Sequence, residues 1–142
     1  MELISPIHGK ITYEKNEIIH FEKGLPGFNG LKKYVIKQVE EESPFSILQS
    51  IEDEEIGFII ISPFFIKDNY EVKLSDEIIK NLNLEGPDEA LLYSIVTLNS
   101  KIEDITANLK APIVINIKNK KGEQYILDKE TYGIKERVFP RE

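Results

Sequence analysis

The stretch LLYSIVTL at residues 91–98 is apolar on both of its alternating faces. A strand of this kind needs cover on both sides, so we predict that it lies at the centre of a sheet. Residues 113–118 (IVINIK) alternate isoleucine with other residues, a pattern typical of a strand with one solvated face. Residues 58–62 (FIIIS) predict another strand, which stops before Pro63 because proline has no amide donor.

Shorter patterns add strands on either side of this centre. Residues 10–13 and 18–21 flank a polar run and predict a hairpin. Residues 34–39, 45–51 and 124–127 predict further strands, separated by polar or glycine-containing turns.

Helix signals are sparse. Ser75 is a good N-cap, and Asp76 and Glu77 suit the positive end of a helix dipole. A second short turn is predicted over residues 29–33. About eight strands with one or two short helices predict a mainly β protein, with a curled antiparallel sheet or a β-barrel-like single domain over residues 1–142. A flat two-layer α+β sheet is the alternative architecture.

The composition excludes several classes of function. The 142 residues contain no cysteine, which removes disulfides, thiolate nucleophiles and cysteine-based zinc sites. The N-terminus does not have the pattern of a secretory signal, and the apolar stretches are far too short to span a bilayer. We therefore expect a cytoplasmic protein with no membrane segment.

The net charge of −7 is unevenly spread. Residues 1–109 hold 10 basic and 20 acidic side chains, whereas residues 110–142 hold 8 basic and 5 acidic ones. Phosphate binding draws on clustered lysine and arginine, so the acidic body of the chain predicts no direct binding to nucleic acid. Electrostatic steering favours a basic protein partner, although acidity that only keeps the protein soluble explains the balance equally well.

The sequence shows no motif for catalysis, a cofactor or a metal. His8 and His20 are the only histidines and lack HExxH spacing, and no serine lies in a GxSxG elbow. The glycine-rich residues 24–30 lack the GK[ST] ending of a phosphate loop and predict a tight turn. Acidic runs at residues 40–42 and 52–55 offer carboxylate pairs, but clusters of like charge beside turns are usually solvated.

Residues 63–71 (PFFIKDNYE) place aromatic side chains between a predicted strand and the predicted helix. On an extended chain Phe64 and Phe65 point in opposite directions, so they do not both face one core. An aromatic residue that is exposed and rimmed by charge is typical of a protein interface. Burial of both rings by the layers of the fold is equally compatible with the sequence.

Several segments, in the same order along the chain, resemble the FliW family. They are FEKGLPGF at 21–28, SPF at 43–45, LQSIED at 48–53, SPF at 62–64, TANLKAPIVIN at 106–116 and QYIL at 124–127. The combination of GLPGF with TANLKAPIVIN is the most specific part of this resemblance. It implies a non-enzymatic regulator with a β-barrel-like fold, no cofactor and no metal.

The resemblance also implies two protein partners. Proteins of this family bind newly made flagellin in the cytoplasm, and they bind the small RNA-binding repressor CsrA and relieve its block on flagellin translation. When flagellin is exported, the freed factor captures CsrA and flagellin synthesis resumes. For this chain we therefore expect a protein that is monomeric when free and binds a terminal segment of flagellin and a CsrA-type repressor.

An acidic surface is the candidate for the repressor. Acid docked beside an RNA-binding surface lowers the local positive potential and disfavours RNA. The first candidate residues are Glu52, Asp53, Glu54 and Glu55. The run at residues 40–42 and the side chain of Glu71 are alternatives.

An apolar groove is the candidate for flagellin, because the terminal segment of flagellin forms an amphipathic helix and such helices bind grooves through spaced anchors. Phe64, Phe65 and Tyr70 are the candidate groove residues. Asn108 and Asn116 flank the distinctive Pro112 segment, and we expect them to satisfy backbone groups at strand ends.

Two other classes of function remain open from sequence. One is a small acid–base enzyme that uses a carboxylate pair. The other is an RNA-binding β-barrel that uses the basic residues 118–121 with Arg137 and Arg141.

Overall fold

The computed structural model describes residues 1–6, 8–128 and 131–139. Numbered in chain order, the strands of this part are β1 (Glu2–Ser5), β2 (Gly9–Thr12), β3 (Ile19–His20), β4 (Lys33–Gln38), β5 (Phe45–Ser50), β6 (Gly57–Ile61), β7 (Ala90–Thr97), β8 (Thr106–Ala107), β9 (Ile113–Asn116), β10 (Gly122–Gln124) and β11 (Glu136–Arg137). The helices are α1 (Pro63–Ile66) and α2 (Asp76–Asn81), with 3₁₀ turns at Lys15–Glu17, Pro87–Glu89 and Ile102–Asp104. The described chain is mainly β, as predicted.

The main sheet is antiparallel and has the order β10-β9-β7-β6-β5-β4-β3. β7 lies at its centre, as the apolar pattern predicts. Its first half pairs with β9, Ile95 pairs with Ile60 of β6, and Val96 pairs with Ala107 of β8. β11 pairs with β8, and β1 and β2 form a separate hairpin.

The sheet curls until its two edges meet. The backbone N–H of His20 on β3 donates to the carbonyl of Lys120 at 2.8 Å, and His20 also forms a bridge with Lys121 beside β10. Elsewhere β3 and β10 are not neighbours in the described sheet. The curled antiparallel sheet is therefore confirmed, and the described residues do not form a closed barrel.

Each face of the curled sheet buries its own core. One cluster includes Phe21, Tyr34 and Ile113, and because its members come from β3 at one edge and from β9 beside the other edge, it fills the inside of the curl. The other cluster lies on the outside, where the β1–β2 hairpin and the C-terminal segment bring Leu3 and Val138 against the sheet. Both faces of the central strands are thereby covered, which explains their two-sided apolar pattern.

Helix α2 starts at the predicted cap. The Oγ atom of Ser75 accepts the N–H of Ile78 at 3.3 Å, and Ile78 and Leu82 pack against Val114 of β9. Every residue of β9 is buried, so the prediction of one solvated face for residues 113–118 is wrong over this strand. Alternation along a strand shows which side chains share a face. It does not show that α2, from another part of the chain, covers the face that carries Val114 and Asn116.

The predicted hairpin between residues 10–13 and 18–21 is also wrong. β2 pairs with β1, and β3 pairs with β4. Between them the chain makes a 3₁₀ turn in which Glu17 accepts the N–H of Glu14 at 3.2 Å and pairs with Lys37 at 2.6 Å. The polar run therefore connects β2 to a strand that pairs with β4, and it does not form a hairpin between β2 and β3.

The short turn predicted over residues 29–33 is present at residues 29–30, where the N–H of Leu31 donates to the carbonyl of Phe28 at 3.1 Å, but it is not helical and β4 begins at Lys33.

Candidate partner-binding surfaces

The predicted acidic run lies in the turn between β5 and β6, residues 51–56, which is termed the acidic turn. The Oγ atom of Ser50 accepts the N–H groups of Glu52 and Asp53, both at 3.1 Å. The carboxylate of Asp53 accepts the N–H of Glu55 at 3.1 Å. These three bonds are local, because each joins residues within the turn or next to it.

Glu52 is directed back onto the sheet. Its Oε1 atom accepts the backbone N–H of Lys32 at 2.6 Å and that of Lys33 at 2.8 Å, at the start of β4. These two donors, that of Lys32 first, lower the pKa of the Glu52 carboxyl below its ordinary value. All four acidic residues of the turn are exposed, and Glu52 differs in that its carboxylate also binds the backbone at the start of β4.

The aromatic segment begins with helix α1 (Pro63–Ile66), so the extended conformation predicted for Phe64 and Phe65 is wrong. Ser62 caps α1 by accepting the N–H of Phe64 at 3.3 Å, and Pro63 occupies the first helical turn. Consecutive helical residues point about 100° apart, which lets neighbours share one side of the molecule. Phe64 and Phe65 are 45% and 50% exposed, and together they are termed the aromatic patch.

Other rings support the aromatic patch from below. Phe64 meets Tyr70 edge-on, with 5.8 Å between ring centroids. Phe65 meets Phe139 at 6.1 Å, and Phe139 meets Phe45 at 6.2 Å. Rings held in this way lose little side-chain freedom when a partner binds, so they are suited to act as anchors. Phe139 carries no signal of this role in the sequence, because its contacts join distant parts of the chain.

Tyr70 is not a surface residue, so the expectation that it lies open in a groove is wrong. Its side chain is 3% exposed, and its hydroxyl donates to the carbonyl of Leu109 at 2.7 Å. Burial, with a smaller effect from Tyr132, raises the pKa of the Tyr70 hydroxyl well above its ordinary value. Glu71, the next residue, is exposed, and its backbone N–H donates to the Tyr132 hydroxyl at 3.0 Å.

The two candidate surfaces lie at opposite ends of β6. The acidic turn precedes Gly57 and α1 follows Ile61, and a strand of this length spans about 15 Å. The alternative acidic run at residues 40–42 lies at the same end of the sheet as the aromatic patch. It precedes β5, whose first residue, Phe45, pairs with Ile61 just before α1.

The two distinctive asparagines have structural roles, as predicted. The Oδ1 atom of Asn108 accepts the N–H groups of Lys110 and Ala111, both at 3.0 Å. The Nδ2 atom of the buried Asn116 donates to the carbonyl of Leu82 at 2.8 Å. These bonds hold the ends of β9 in place.

The basic residues 118–121 are partly neutralised by carboxylates. Lys118 pairs with the buried Glu89 at 2.7 Å, and this contact lowers the pKa of Glu89 and raises that of Lys118. Arg137 forms an ion pair with Asp104, with 3.4 Å between its guanidinium nitrogen and the carboxylate oxygen. Arg141, the other predicted member of this basic set, lies outside the described residues.

Within residues 1–6, 8–128 and 131–139, no three histidine or carboxylate side chains come together in a way that could hold a metal ion. Among the described helices, none has the length and apolar character needed to cross a membrane.

Comparison with known proteins identifies the family. The family model described as FliW protein matches residues 2–138. This chain belongs to the FliW family. The flagellar assembly factor FliW of Clostridium tetani is 49% identical over 142 residues, which cover 100% of this chain and 98% of that protein. The flagellar assembly factor FliW of Clostridium novyi is 50% identical over 139 residues, which cover 98% and 97%.

A solved FliW structure has the same fold. A crystal structure of the flagellar assembly factor FliW matches with a TM-score of 0.92 and 38% identity, and the match covers 99% of both chains. The resemblance to the FliW family that the sequence motifs indicate is confirmed. The acidic turn and the aromatic patch are thus candidate surfaces on a FliW fold.

Proposed function

We propose that this chain is a cytoplasmic, non-enzymatic flagellar assembly factor that binds a terminal segment of flagellin and, when flagellin is absent, a CsrA-type RNA-binding repressor. In this proposal it is one FliW-like domain over residues 1–142, monomeric when free. The family match over nearly the whole chain supports the assembly role. The exposed aromatic patch, supported by the buried ring of Tyr70 and the half-buried ring of Phe139, is the observation that carries the partner-binding part.

Flagellin binds at the aromatic patch in this proposal. An amphipathic helix buries an apolar stripe, and exposed phenylalanines supply anchors for such a stripe. Phe64 and Phe65 contact the helix, whereas Tyr70 keeps Phe64 in place from the buried side. Preformed anchors favour affinity because their rotamers are fixed before binding.

The repressor binds at the acidic turn in this proposal. An RNA-binding protein presents lysine and arginine to phosphates, and Glu54 and Glu55 offer exposed negative charge to such a surface. Glu52 and Asp53 keep the turn in shape through their backbone contacts. Glu71 and residues 40–42, which lie toward the other end of the sheet, are the alternative acidic contacts.

The two other classes of function have less support. The acidic turn is an exposed local structure and not a sheltered pocket, which is a poor setting for a carboxyl group with a raised pKa. In the basic stretch, Lys118 is paired with Glu89, which reduces the charge that it can offer to a phosphate.

The proposal is tested by titrating the purified chain with purified monomeric flagellin and, separately, with the repressor bound to an RNA that carries its recognition site. Isothermal titration calorimetry should show binding to flagellin, and the chain should release RNA from the repressor in a gel-shift assay. Flagellin added in excess should then restore the repressor–RNA complex. Absence of binding to both proteins would contradict the proposal.

A further inference from the structure

An open groove of about 570 Å³ lies where the curled sheet does not close. Its apolar lining consists of Ile19, Ile36, Leu91, Tyr93, Ile115 and Ile117. Leu91 is 45% exposed and Ile117 is 40% exposed, so aliphatic surface there meets solvent. The lining includes no residue of the aromatic patch or of the acidic turn, so this is a separate site.

One wall of the groove is an edge of β4. β3 pairs with β4 at Tyr34 and Lys33, whereas β4 continues to Gln38. The N–H of Ile51 donates to the carbonyl of Lys33, so the backbone of odd-numbered residues in β4 faces β5. The backbone N–H and C=O groups of successive residues point to opposite sides of a strand. Those of Ile36 and Gln38 therefore point away from β5. No described strand pairs with them on that side.

The rim of the groove carries lysine. Lys118 and Lys120 border it, and the acidic rim residue, Glu17, is already paired with Lys37 at 2.6 Å. Lys118 contacts Glu89, but its side chain stays 69% exposed. Because Glu89 partly neutralises Lys118, Lys120 supplies most of the positive charge at the rim, and this charge favours a ligand that carries carboxylates.

We propose that this groove binds an extended peptide segment in which aliphatic residues alternate with acidic ones, and that the segment adds to the sheet along β4. The backbone groups of Ile36 and Gln38 pair with the segment, as in other cases of strand addition to a free edge. Its aliphatic side chains enter the groove between Leu91 and Ile117, and its carboxylates face the rim lysines. This site goes beyond the proposed flagellin and repressor surfaces.

A peptide fits these features better than a fatty acid. An acyl chain with a carboxylate also uses apolar walls and lysine, but it leaves the donors and acceptors of the β4 edge without a partner. A strand satisfies the edge, the apolar lining and the rim together.

The test uses fluorescence anisotropy with a labelled seven-residue peptide of alternating valine and glutamate and the purified full chain. A matched peptide with lysine in place of glutamate should bind at least about tenfold more weakly, because it faces the rim lysines with like charge. A valine–glutamate peptide with N-methyl groups on the amides that face β4 should also lose about tenfold or more. Excess decanoate should not displace the parent peptide. If it does, or if the N-methylated peptide binds as well as the parent, strand addition is overturned.

Variants of the chain locate the site. Leu91→Glu and Ile117→Glu should each reduce affinity for the valine–glutamate peptide at least about tenfold. Ile102→Glu is the matched control, since Ile102 is an isoleucine that is 65% exposed and does not line the groove. Unchanged binding by both groove variants, or no binding by the wild-type chain, overturns the proposal.

Lys120→Asn tests the rim and keeps the fold even if the glutamate variants do not fold. Lys120 has a φ of 60°, a conformation that asparagine tolerates better than most residues. Affinity for the valine–glutamate peptide should fall severalfold, and the difference should shrink at high salt. An affinity equal to that of the wild-type chain at low salt would remove the rim from the proposal.

Discussion

The aromatic patch and the acidic turn lie at opposite ends of β6 and are built in different ways. The aromatic patch rests on Tyr70 and Phe139, which distant contacts hold in place. The acidic turn is held largely by hydrogen bonds that Ser50 and Asp53 accept from backbone N–H groups just after them in the chain. A surface built on long-range packing depends on the whole fold, whereas a local turn accepts new side chains without disturbing distant ones. The predictions below test this difference, from the largest expected effect to the smallest.

Removal of the support beneath the aromatic patch should give the largest effect. Tyr70→Ala deletes a buried ring and should lower the free energy of unfolding by about 3–5 kcal/mol. Tyr70→Phe removes only the bond to Leu109 and should cost about 1 kcal/mol. Urea unfolding followed by circular dichroism measures both. A Tyr70→Ala protein as stable as the wild type would show that the aromatic patch does not depend on this packing.

Truncation on the aromatic patch itself should affect binding more than stability. Phe65→Ala should weaken flagellin binding by about 2 kcal/mol, or roughly thirtyfold, because an exposed anchor is lost. Calorimetric titration measures this change. Ile102→Ala is the control, since Ile102 is also exposed and follows the end of β7 that lies beside the acidic turn. Equal affinity of the Phe65→Ala and wild-type proteins would remove Phe65 from the site.

Glu52 should stabilise the acidic turn in a pH-dependent way. Its folded-state pKa lies below the ordinary value of 4.5, so its contribution is present above that pH and is lost as the pH falls through the folded-state pKa. Glu52→Gln should cost about 1 kcal/mol at pH 7, because the residue is exposed and its bonds are partly screened. The stability difference between the two proteins should shrink as the pH falls below 4.5 and through the folded-state pKa. Glu54→Gln is the control, and a constant difference for Glu52→Gln would contradict the assignment.

Charge reversal in the acidic turn should have the smallest effect on stability. The double change Glu54→Lys and Glu55→Lys should alter the free energy of unfolding by less than about 0.5 kcal/mol. It should slow repressor association, most of all at low salt, and leave flagellin affinity unchanged. Stopped-flow association rates measure the effect.

The matched control for that variant is Glu85→Lys with Asp88→Lys, which makes the same change in net charge on another exposed loop. If both double variants slow association equally, total charge and not the acidic turn governs the encounter. If Glu71→Lys slows repressor association and neither double variant does, Glu71 and not the acidic turn is the acidic contact.

Local signals in the sequence were enough to predict much of the fold. The two-sided apolar pattern of residues 91–98 correctly predicts a central strand, and Ser75 correctly predicts the start of α2. The helix α1 also had a signal, because Ser62 followed by Pro63 is a cap followed by a residue suited to a first helical turn. The prediction that Phe64 and Phe65 are extended was wrong because it continued the conformation of the preceding strand past Ser62.

Contacts between distant parts of the chain could not be predicted in this way. The burial of Tyr70 depends on Leu109 and Tyr132, and nothing near residue 70 indicates either partner. The cover on β9 comes from Ile78 and Leu82, so alternation within β9 alone suggests a wet face that does not exist over this strand. The acidic run was correctly placed beside a turn, but the hydrogen bonds that the Glu52 carboxylate accepts from Lys32 and Lys33 depend on the position of β4.

The three neighbours of β7 have a consequence for how the protein opens. Its partners come from both directions along the chain, since β6 precedes it and β8 and β9 follow it. Breathing motions that free β7 must therefore separate both halves of the sheet at once, which makes local opening there as costly as global unfolding. Its amide protons should be among the slowest in the molecule to exchange with deuterium.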